Sequence, residues 1–137
     1  MNKQPTKRFP VPTPETAPYW KACQSHQLLI QKCVNCGKHQ FYPRTFCSHC
    51  MGDNIEWVEA SGRGQIVSYT IMRRVISKAY ADGGVTVLAL IRLEEDVQMM
   101  SNILDCDPEK ICIGMAVEVI FEDWSDEISV PMFCPVQ

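Results

Sequence analysis

Four of the eight cysteines in this chain fall into two C-x-x-C pairs, and this pattern constrains the fold more than any other feature. The pairs are Cys33-Val-Asn-Cys36 and Cys47-Ser-His-Cys50, separated by ten residues. In each tight turn both sulfur atoms point into one hollow, and two stacked turns place four thiolates at the corners of a tetrahedron. Redox chemistry of a dithiol needs only one such pair. The spacing therefore predicts a four-sulfur metal site.

The predicted metal is a structural zinc ion held by all four of these cysteines. A catalytic zinc keeps one position open for water, whereas four thiolates close the coordination shell. The nearby His39 and His49 are therefore expected to be surface groups rather than ligands. Iron fits the same cage, since rubredoxin-type sites share this spacing, and the sequence leaves that alternative open. The segment that contains the two cysteine pairs is too small to have a hydrophobic core of its own. The metal is therefore expected to stabilise the fold of this segment.

The start of the chain and its hydropathy favour a cytoplasmic protein without a membrane anchor. The first eleven residues are polar and basic and contain no apolar h-region. No apolar run approaches the ~20 residues needed to span a bilayer. Because intracellular thiols stay reduced, clustered cysteines in such a protein indicate a metal rather than disulfides. The remaining thiols, Cys23, Cys106, Cys112 and Cys134, are expected to serve packing.

The rest of the chain has the pattern of a mainly β protein with one short N-terminal helix. A proline-rich arm over residues 1–18 precedes the helix, and Tyr19, Trp20 and Cys23 share a helix face that is expected to cover the core. Strands are predicted over 28–30, 55–59, 65–76, 85–93, 97–104, 115–121 and 128–133, with a turn at 82–84. Five or six short-connected strands predict a small antiparallel barrel.

Methionines occur at three positions within these predicted strands, namely Met99, Met100 and Met115. Methionine adapts its shape to irregular gaps between other apolar side chains. All three are therefore expected to fill the core rather than to bind copper or a partner.

The order of these features resembles an acyl-CoA-associated family that joins a rubredoxin-like zinc ribbon to an OB-fold. The resemblance covers residues 19–133 and includes the two cysteine pairs, Gln40-Phe-Tyr-Pro-Arg44, Trp57, Ser61-Gly-Arg-Gly64, Tyr69-Thr70, Ser101-Asn102 and Ile113-Gly-Met115. It implies an N-terminal arm and helix over 1–27, a zinc ribbon over 28–56 and a five-stranded antiparallel OB-fold barrel over 57–137. One departure is Ser48, where the family often has proline, and this affects the rigidity of the turn more than metal binding.

The same resemblance implies a non-catalytic accessory subunit of an acyl-CoA-processing complex. Members of the family look like partners of thiolases, ketosynthase-like synthases, aldolases or hydratases, and a thiolase partner is favoured here. The chain would stabilise that partner and help to bind coenzyme A (CoA) or an acyl-CoA. An aldolase, a hydratase or an HMG-CoA-synthase-type enzyme is the alternative partner. No catalytic residue is assigned to the chain itself, since no nucleophile is paired with a base in its sequence.

Six side chains are candidates for contact with CoA. Guanidinium groups bind phosphates through bidentate, charge-assisted hydrogen bonds. Arg44 lies between the two cysteine pairs, and Arg63 is flanked by glycines that allow close approach of a ligand to the backbone. Tyr69 has a ring able to stack on adenine. The full set is Lys38, Arg44, Arg63, Tyr69, Arg73 and Arg74.

A single-stranded nucleic-acid binder is the alternative from a different class, because zinc ribbons and OB-folds both serve that purpose. Such a module needs a basic groove lined with stacking aromatic rings. Residues 79–137 carry two basic and twelve acidic side chains, a balance of −10. This charge opposes a phosphate backbone, so no nucleic-acid partner is expected.

Overall fold

A three-stranded antiparallel sheet carries Cys33, the first cysteine of the predicted metal site. The computed structural model describes residues 9–74 and 85–136. Strands β1 (Leu29–Cys33), β2 (His39–Gln40) and β3 (Ile55–Glu59) pair in the order β2-β1-β3. Strand β2 was not predicted, because two residues are too few to show an alternating pattern. The boundary between zinc ribbon and OB-fold was expected between residues 56 and 57. Strand β3 spans this boundary and pairs with β1 along its whole length.

Two buried glutamines fix the loop that joins the two cysteine pairs. The side-chain amide of Gln40 donates to Gln31 Oε1 at 2.7 Å. Gln31 in turn accepts from the Arg44 backbone N–H at 2.9 Å and donates to the Arg44 carbonyl at 3.0 Å. Because both amides are buried, removal of either one would break a buried hydrogen bond of this network. The network therefore holds the backbone of Arg44 against the ribbon sheet.

Five strands form a closed barrel behind the ribbon. They are β4 (Arg63–Met72), β5 (Thr86–Leu93), β6 (Gln98–Ile103), β7 (Ala116–Asp123) and β8 (Ser129–Pro135), in the spatial order β4-β5-β6-β8-β7. This order confirms the predicted mainly β fold with an OB-fold barrel. The description as wholly antiparallel needs correction, since β6 and β8 are parallel and Ile103 lies opposite Phe133. A closed ring with an odd number of strands must contain at least one parallel pair.

The barrel interior follows the alternation of side chains along each strand. In β5, Val87, Ala89 and Ile91 point inward and are buried, and Phe133 of β8 is fully buried beside them. Met99 also points inward, which confirms its predicted role in the core. The prediction for Met100 is wrong. Because successive residues of a strand face opposite sides, Met100 points outward and 57% of it is exposed.

Helix α1 (Ala17–Gln24) packs across the junction of ribbon and barrel. Its Tyr19 and Cys23 are buried and its Trp20 packs partly buried on the same core, which confirms the predicted apolar face. Burial raises the pKa of the Cys23 thiol to about 11, so this thiol stays protonated. Within residues 9–74 and 85–136, no helix has the length and apolar character needed to cross a membrane. The predicted turn at 82–84 and the end of the strand predicted over 65–76 lie outside the described residues.

The end of the helix is fastened to the β7–β8 hairpin. His26, in the left-handed region with φ 59°, places its Nε2 2.8 Å from Asp123 Oδ1 and stacks its ring on Phe121. The hydroxyl of Ser129 also donates to Asp123. These hydrogen bonds, first that of Ser129 and then that of His26, lower the pKa of the Asp123 carboxyl. The helix is therefore held by polar contacts as well as by the core.

Candidate metal centre and the adjoining groove

The two cysteine pairs meet at one point of the ribbon. The Sγ atoms of Cys33, Cys36, Cys47 and Cys50 all lie within 4.8 Å of one another. The Cys33–Cys50 and Cys36–Cys47 sulfur pairs are each 3.6 Å apart. Zinc–sulfur bonds of about 2.3 Å in a tetrahedron require sulfur–sulfur distances of about 3.8 Å. The four cysteines therefore form a site of the size that zinc with four thiolate ligands needs.

Both turns that carry the cysteines have the same backbone form. The N–H of Gly37 donates to the carbonyl of Cys33 at 2.8 Å, and the N–H of Met51 donates to the carbonyl of Cys47 at 2.9 Å. Gly37 and Met51 each occupy the left-handed region, with φ of 76° and 67°. Glycine adopts this conformation freely, whereas methionine is strained there. The second turn is therefore the less relaxed of the two.

We expect a Met51→Gly substitution to raise the free energy of unfolding by up to about 1 kcal/mol, because it relieves this strain. The Met51 side chain is 71% exposed, so little packing is lost with it. Denaturant unfolding of the zinc-loaded protein measures the change. The matched control is Gly37→Ala, which introduces the same strain into the first turn and is expected to destabilise by about 1 kcal/mol. Equal or lower stability of the Met51→Gly variant would contradict the assignment of strain.

Backbone N–H groups point at the sulfur atoms and prepare them for a cation. The N–H groups of Cys50 and His49 donate to Cys47 Sγ at 3.5 and 3.3 Å and lower the pKa of the Cys47 thiol to about 6. The Gly52 N–H acts in the same direction on Cys50, but the neighbouring sulfurs and burial outweigh it and raise the pKa of that thiol to about 11. The Cys50 thiol, with its raised pKa, therefore ionises less readily than usual until a metal ion compensates the charge.

The two histidines beside the site lie apart from this cluster. Among the residues that the structure describes, the one group able to hold a metal consists of the four cysteines alone. His49 instead places its Nε2 3.3 Å from the carbonyl oxygen of His39. Zinc bound here would be fully coordinated by thiolates and would supply structural cross-linking of the ribbon. The ring of His49 is thus engaged with the backbone of His39.

The six candidate CoA contacts divide into two groups at opposite ends of β4. Lys38 and Arg44 lie on the ribbon, and Arg63 begins β4 beside the β5–β6 turn. Tyr69, Arg73 and Arg74 lie toward the other end of the same strand. Ten residues of strand span on the order of 30 Å, so the two groups cannot bind one phosphate cluster together. Within the first group, Arg44 lines a groove between ribbon and barrel.

Ion pairs engage two of these arginines. Arg63 Nε lies 3.3 Å from Glu94 Oε1, and Arg73 donates to Glu109 at 2.9 Å. Both pairs are largely exposed to solvent, so each contributes little to stability. The glycines beside Arg63 have an internal role, since a Cβ on Gly64 would lie 2.5 Å from the carbonyl oxygen of Arg92. The close approach that they permit is between two strands of the barrel.

A groove between ribbon and barrel was not predicted, because it depends on how distant segments pack. It has a volume of about 250 Å³. Its lining consists of His39, Gln40, Phe41, Tyr42, Arg44, Ser48, His49, Asp96, Val97 and Gln98. Arg44 is the one guanidinium in this lining. The groove therefore joins the loop between the cysteine pairs to the β5–β6 turn.

A second cavity opens beside β7 and β8 and is acidic. It has a volume of about 350 Å³ and is lined by Asp105, Glu118, Cys134, Pro135 and Val136. Burial, followed by the charges of Glu118 and Asp105, raises the pKa of the Cys134 thiol. A protonated thiol beside two carboxylates suits neither nucleophilic chemistry nor phosphate binding.

A four-thiolate ribbon joined to a closed five-stranded OB barrel defines the class of this protein. Two family profiles match it in the same order. The ChsH2 rubredoxin-like zinc ribbon domain matches residues 20–56, and the ChsH2 C-terminal OB-fold domain matches residues 57–122. The chain belongs to the ChsH2 (DUF35) zinc-ribbon and OB-fold family.

Relatives and a solved structure extend this similarity. A DUF35 domain-containing scaffold protein of Methanothermobacter thermautotrophicus is 34% identical, over 82% of this chain and 86% of the relative. A probable enoyl-CoA hydratase alpha subunit of Thermomonospora curvata is 31% identical over 88% of this chain, which spans only 37% of that longer protein. A chain in the solved structure of an Ltp2-ChsH2(DUF35) aldolase is 30% identical, with a TM-score of 0.82 over 92% of this chain and 98% of that one.

Proposed function

We propose that this chain is a non-catalytic zinc-containing scaffold subunit that docks on an acyl-CoA enzyme and helps to hold CoA or an acyl-CoA. The observation that carries the proposal is the match along 98% of a chain in a structure named as an Ltp2-ChsH2(DUF35) aldolase. The chain is similar to that component along nearly its whole length. The name of the archaeal relative, a scaffold protein, supports the same role.

The chemistry of the metal site supports a structural rather than a catalytic role. A zinc ion with four thiolate ligands has no position for substrate or water. Its cross-linking would instead hold the loop with Phe41, Tyr42 and Arg44 in a fixed position beside the barrel. Such a rigid loop is suited to contact with a partner or a ligand.

The class of partner is an aldolase or a hydratase, as the names of the similar proteins suggest. The thiolase partner favoured by the sequence resemblance remains a prediction. One co-expression experiment tests all three classes of partner. The chain would be co-expressed separately with each thiolase-, aldolase- or hydratase-type protein encoded near it, and the mass of the purified species measured by light scattering. A stable hetero-oligomer with one of them is expected. Failure of every such protein to associate would contradict the proposal.

The charge of the barrel opposes the alternative of nucleic-acid binding. Residues 63–74 and 85–135 carry five basic and eleven acidic side chains, a balance of −6. A surface of this sign repels a phosphate backbone. Tight binding of single-stranded oligonucleotides in a gel-shift assay at moderate salt would favour that alternative.

We expect an Arg44→Ala substitution to raise the apparent KM for CoA about tenfold in the assembled complex, because the groove would lose its one guanidinium. Steady-state kinetics at varied CoA measures this change. The matched control is Arg63→Ala, since the guanidinium of Arg63 is already paired with Glu94 and a smaller effect is expected. An unchanged KM in the Arg44→Ala variant would remove Arg44 from the set of CoA contacts.

A further inference from the structure

A short linker joins the ribbon to the barrel, and a side chain of the β5–β6 turn holds it. The linker, residues 60–62, follows β3 and leads directly into β4. The carboxylate of Glu95 accepts hydrogen bonds from the Ser61 backbone N–H at 2.9 Å and from the Ser61 hydroxyl at 3.4 Å. These two residues are 34 positions apart in the sequence. Glu95 therefore connects the linker to a distant part of the barrel.

The β5–β6 turn does not need this side chain for its own shape. The Leu93 N–H donates to the Val97 carbonyl at 2.9 Å and closes a loop of three residues. The Asp96 N–H donates to the Leu93 carbonyl at 2.9 Å, and Asp96 has φ of 61°. A three-residue hairpin loop that ends with a residue in the left-handed region is a common turn in its own right. The Glu95 carboxylate is therefore available to support the linker.

The linker is fixed on its other side by β7. In the barrel, β4 lies between β5 and β7. The Val119 N–H of β7 donates to the Gly62 carbonyl at 2.7 Å. A Cβ on Gly62 would lie 2.6 Å from Val119 Cγ1, so the linker and this strand are in close contact. The linker thus runs between β7 and the β5–β6 turn, and Glu95 supplies a polar contact on the side of the turn.

The same turn continues into one wall of the groove. Asp96, Val97 and Gln98 line the groove from the barrel, whereas the loop with Arg44 lines it from the ribbon. Because Glu95 directly precedes these three wall residues, its hydrogen bonds to Ser61 tie the wall to the segment that leads from the ribbon. Binding sites depend on such supporting hydrogen bonds, since these hold the contacting groups in position.

We propose that Glu95 is a positioning residue for the groove. Its contact with the linker sets the spacing between the barrel wall and Arg44, and through this spacing the affinity for CoA. The inference rests on the proposed function, in which Arg44 contacts CoA. Glu95 lies outside the lining of the groove, and a carboxylate repels phosphate, so it acts through the wall and not by contact with the ligand.

The test measures kcat and the apparent KM for CoA of the assembled complex with Glu95→Ala and with Glu95→Gln. Alanine removes both acceptor oxygens, whereas glutamine keeps one for the Ser61 N–H. We expect a KM about fivefold higher with unchanged kcat for Glu95→Ala, and within about twofold of the unaltered complex for Glu95→Gln. The matched control is Glu127→Ala, which removes an exposed glutamate from the β7–β8 turn and is expected to leave KM unchanged.

A double substitution separates positioning from a general loss of stability. If Glu95 acts by placing the wall relative to Arg44, its removal matters little once the Arg44 guanidinium is gone. We therefore expect Glu95→Ala to raise KM by less than about twofold in the Arg44→Ala background, whereas independent effects would multiply.

Hydrogen exchange in the isolated chain tests the contact itself without any ligand or partner. The Ser61 amide is expected to exchange about tenfold faster in Glu95→Ala than in the unaltered chain, because its acceptor is lost. In Glu95→Gln the amide should keep its protection.

An unchanged KM in Glu95→Ala, an equal increase in Glu127→Ala, or the full increase in the Arg44→Ala background would overturn the positioning role and leave the scaffold function intact. Unchanged exchange of the Ser61 amide in Glu95→Ala would overturn the contact on which that role depends. Failure of the unaltered chain to form a complex that uses CoA would instead overturn the proposed function, and this inference with it.

Discussion

A Cys33→Ser substitution is expected to abolish stable zinc binding and to unfold the ribbon. Cys33 ends β1, is 1% exposed, and lies 3.6 Å from Cys50 through its sulfur atom. Structural zinc contributes apparent binding free energies on the order of 10 kcal/mol or more in small domains, because metal binding and folding are linked. A serine hydroxyl does not replace the thiolate ligand. The variant should contain well under half the zinc of the unaltered protein, and its ribbon should become sensitive to proteases.

The same variant should bind its enzyme subunit at least tenfold more weakly, because the loop around Arg44 would lose its fixed position beside the barrel. The matched control is Cys112→Ser, since Cys112 is an exposed thiol outside the metal site. That control is expected to keep full zinc content and affinity. A Cys33→Ser variant that stays folded, metal-loaded and fully associated would refute the structural role of the metal.

A Gly64→Ala substitution is expected to destabilise the barrel by about 3 kcal/mol. A Cβ at this position would lie 2.5 Å from the carbonyl oxygen of Arg92 and 2.9 Å from Cγ2 of Ile91. The carbonyl oxygen of Arg92 cannot move away without separating β4 from β5. Overpacking typically costs 1–3 kcal/mol and occasionally more, so a loss of about 3 kcal/mol in the free energy of unfolding is expected. Denaturant unfolding of the zinc-loaded protein measures the change.

Gly114→Ala separates this steric effect from backbone strain. Gly114 has φ of 88°, but nothing lies within 4 Å of the position of its Cβ. Only the conformational cost of about 1 kcal/mol is therefore expected there. Equal destabilisation by the two substitutions would mean that β4 and β5 do not approach as closely as the structure indicates.

The metal ligands and the strands were predictable because local spacing encodes them. Two C-x-x-C turns bring their sulfurs together almost wherever the intervening loop goes, and the structure places the four Sγ atoms within 4.8 Å. The nearly continuous apolar run of β5 and the alternation of apolar residues along β7 likewise depend on a single strand. These features need no knowledge of distant packing.

Other features depend on tertiary contacts that one sequence does not display. The outward position of Met100 follows from the register of β6, in which Met99 occupies the interior. The groove forms only where the β5–β6 turn meets the ribbon. The ion pair between Arg63 and Glu94 joins two segments about thirty residues apart in the sequence. It shows that the Arg63 guanidinium, a candidate CoA contact from the sequence, already has an acidic partner in the barrel.

Thioester turnover by the purified, zinc-loaded chain tests the central claim most directly. The assay would follow CoA release or consumption with the chain alone, with the enzyme subunit alone and with the assembled complex. We predict no turnover by the isolated chain above the rate in buffer, and full activity only when the enzyme subunit is present. Robust turnover by the isolated chain would contradict the account.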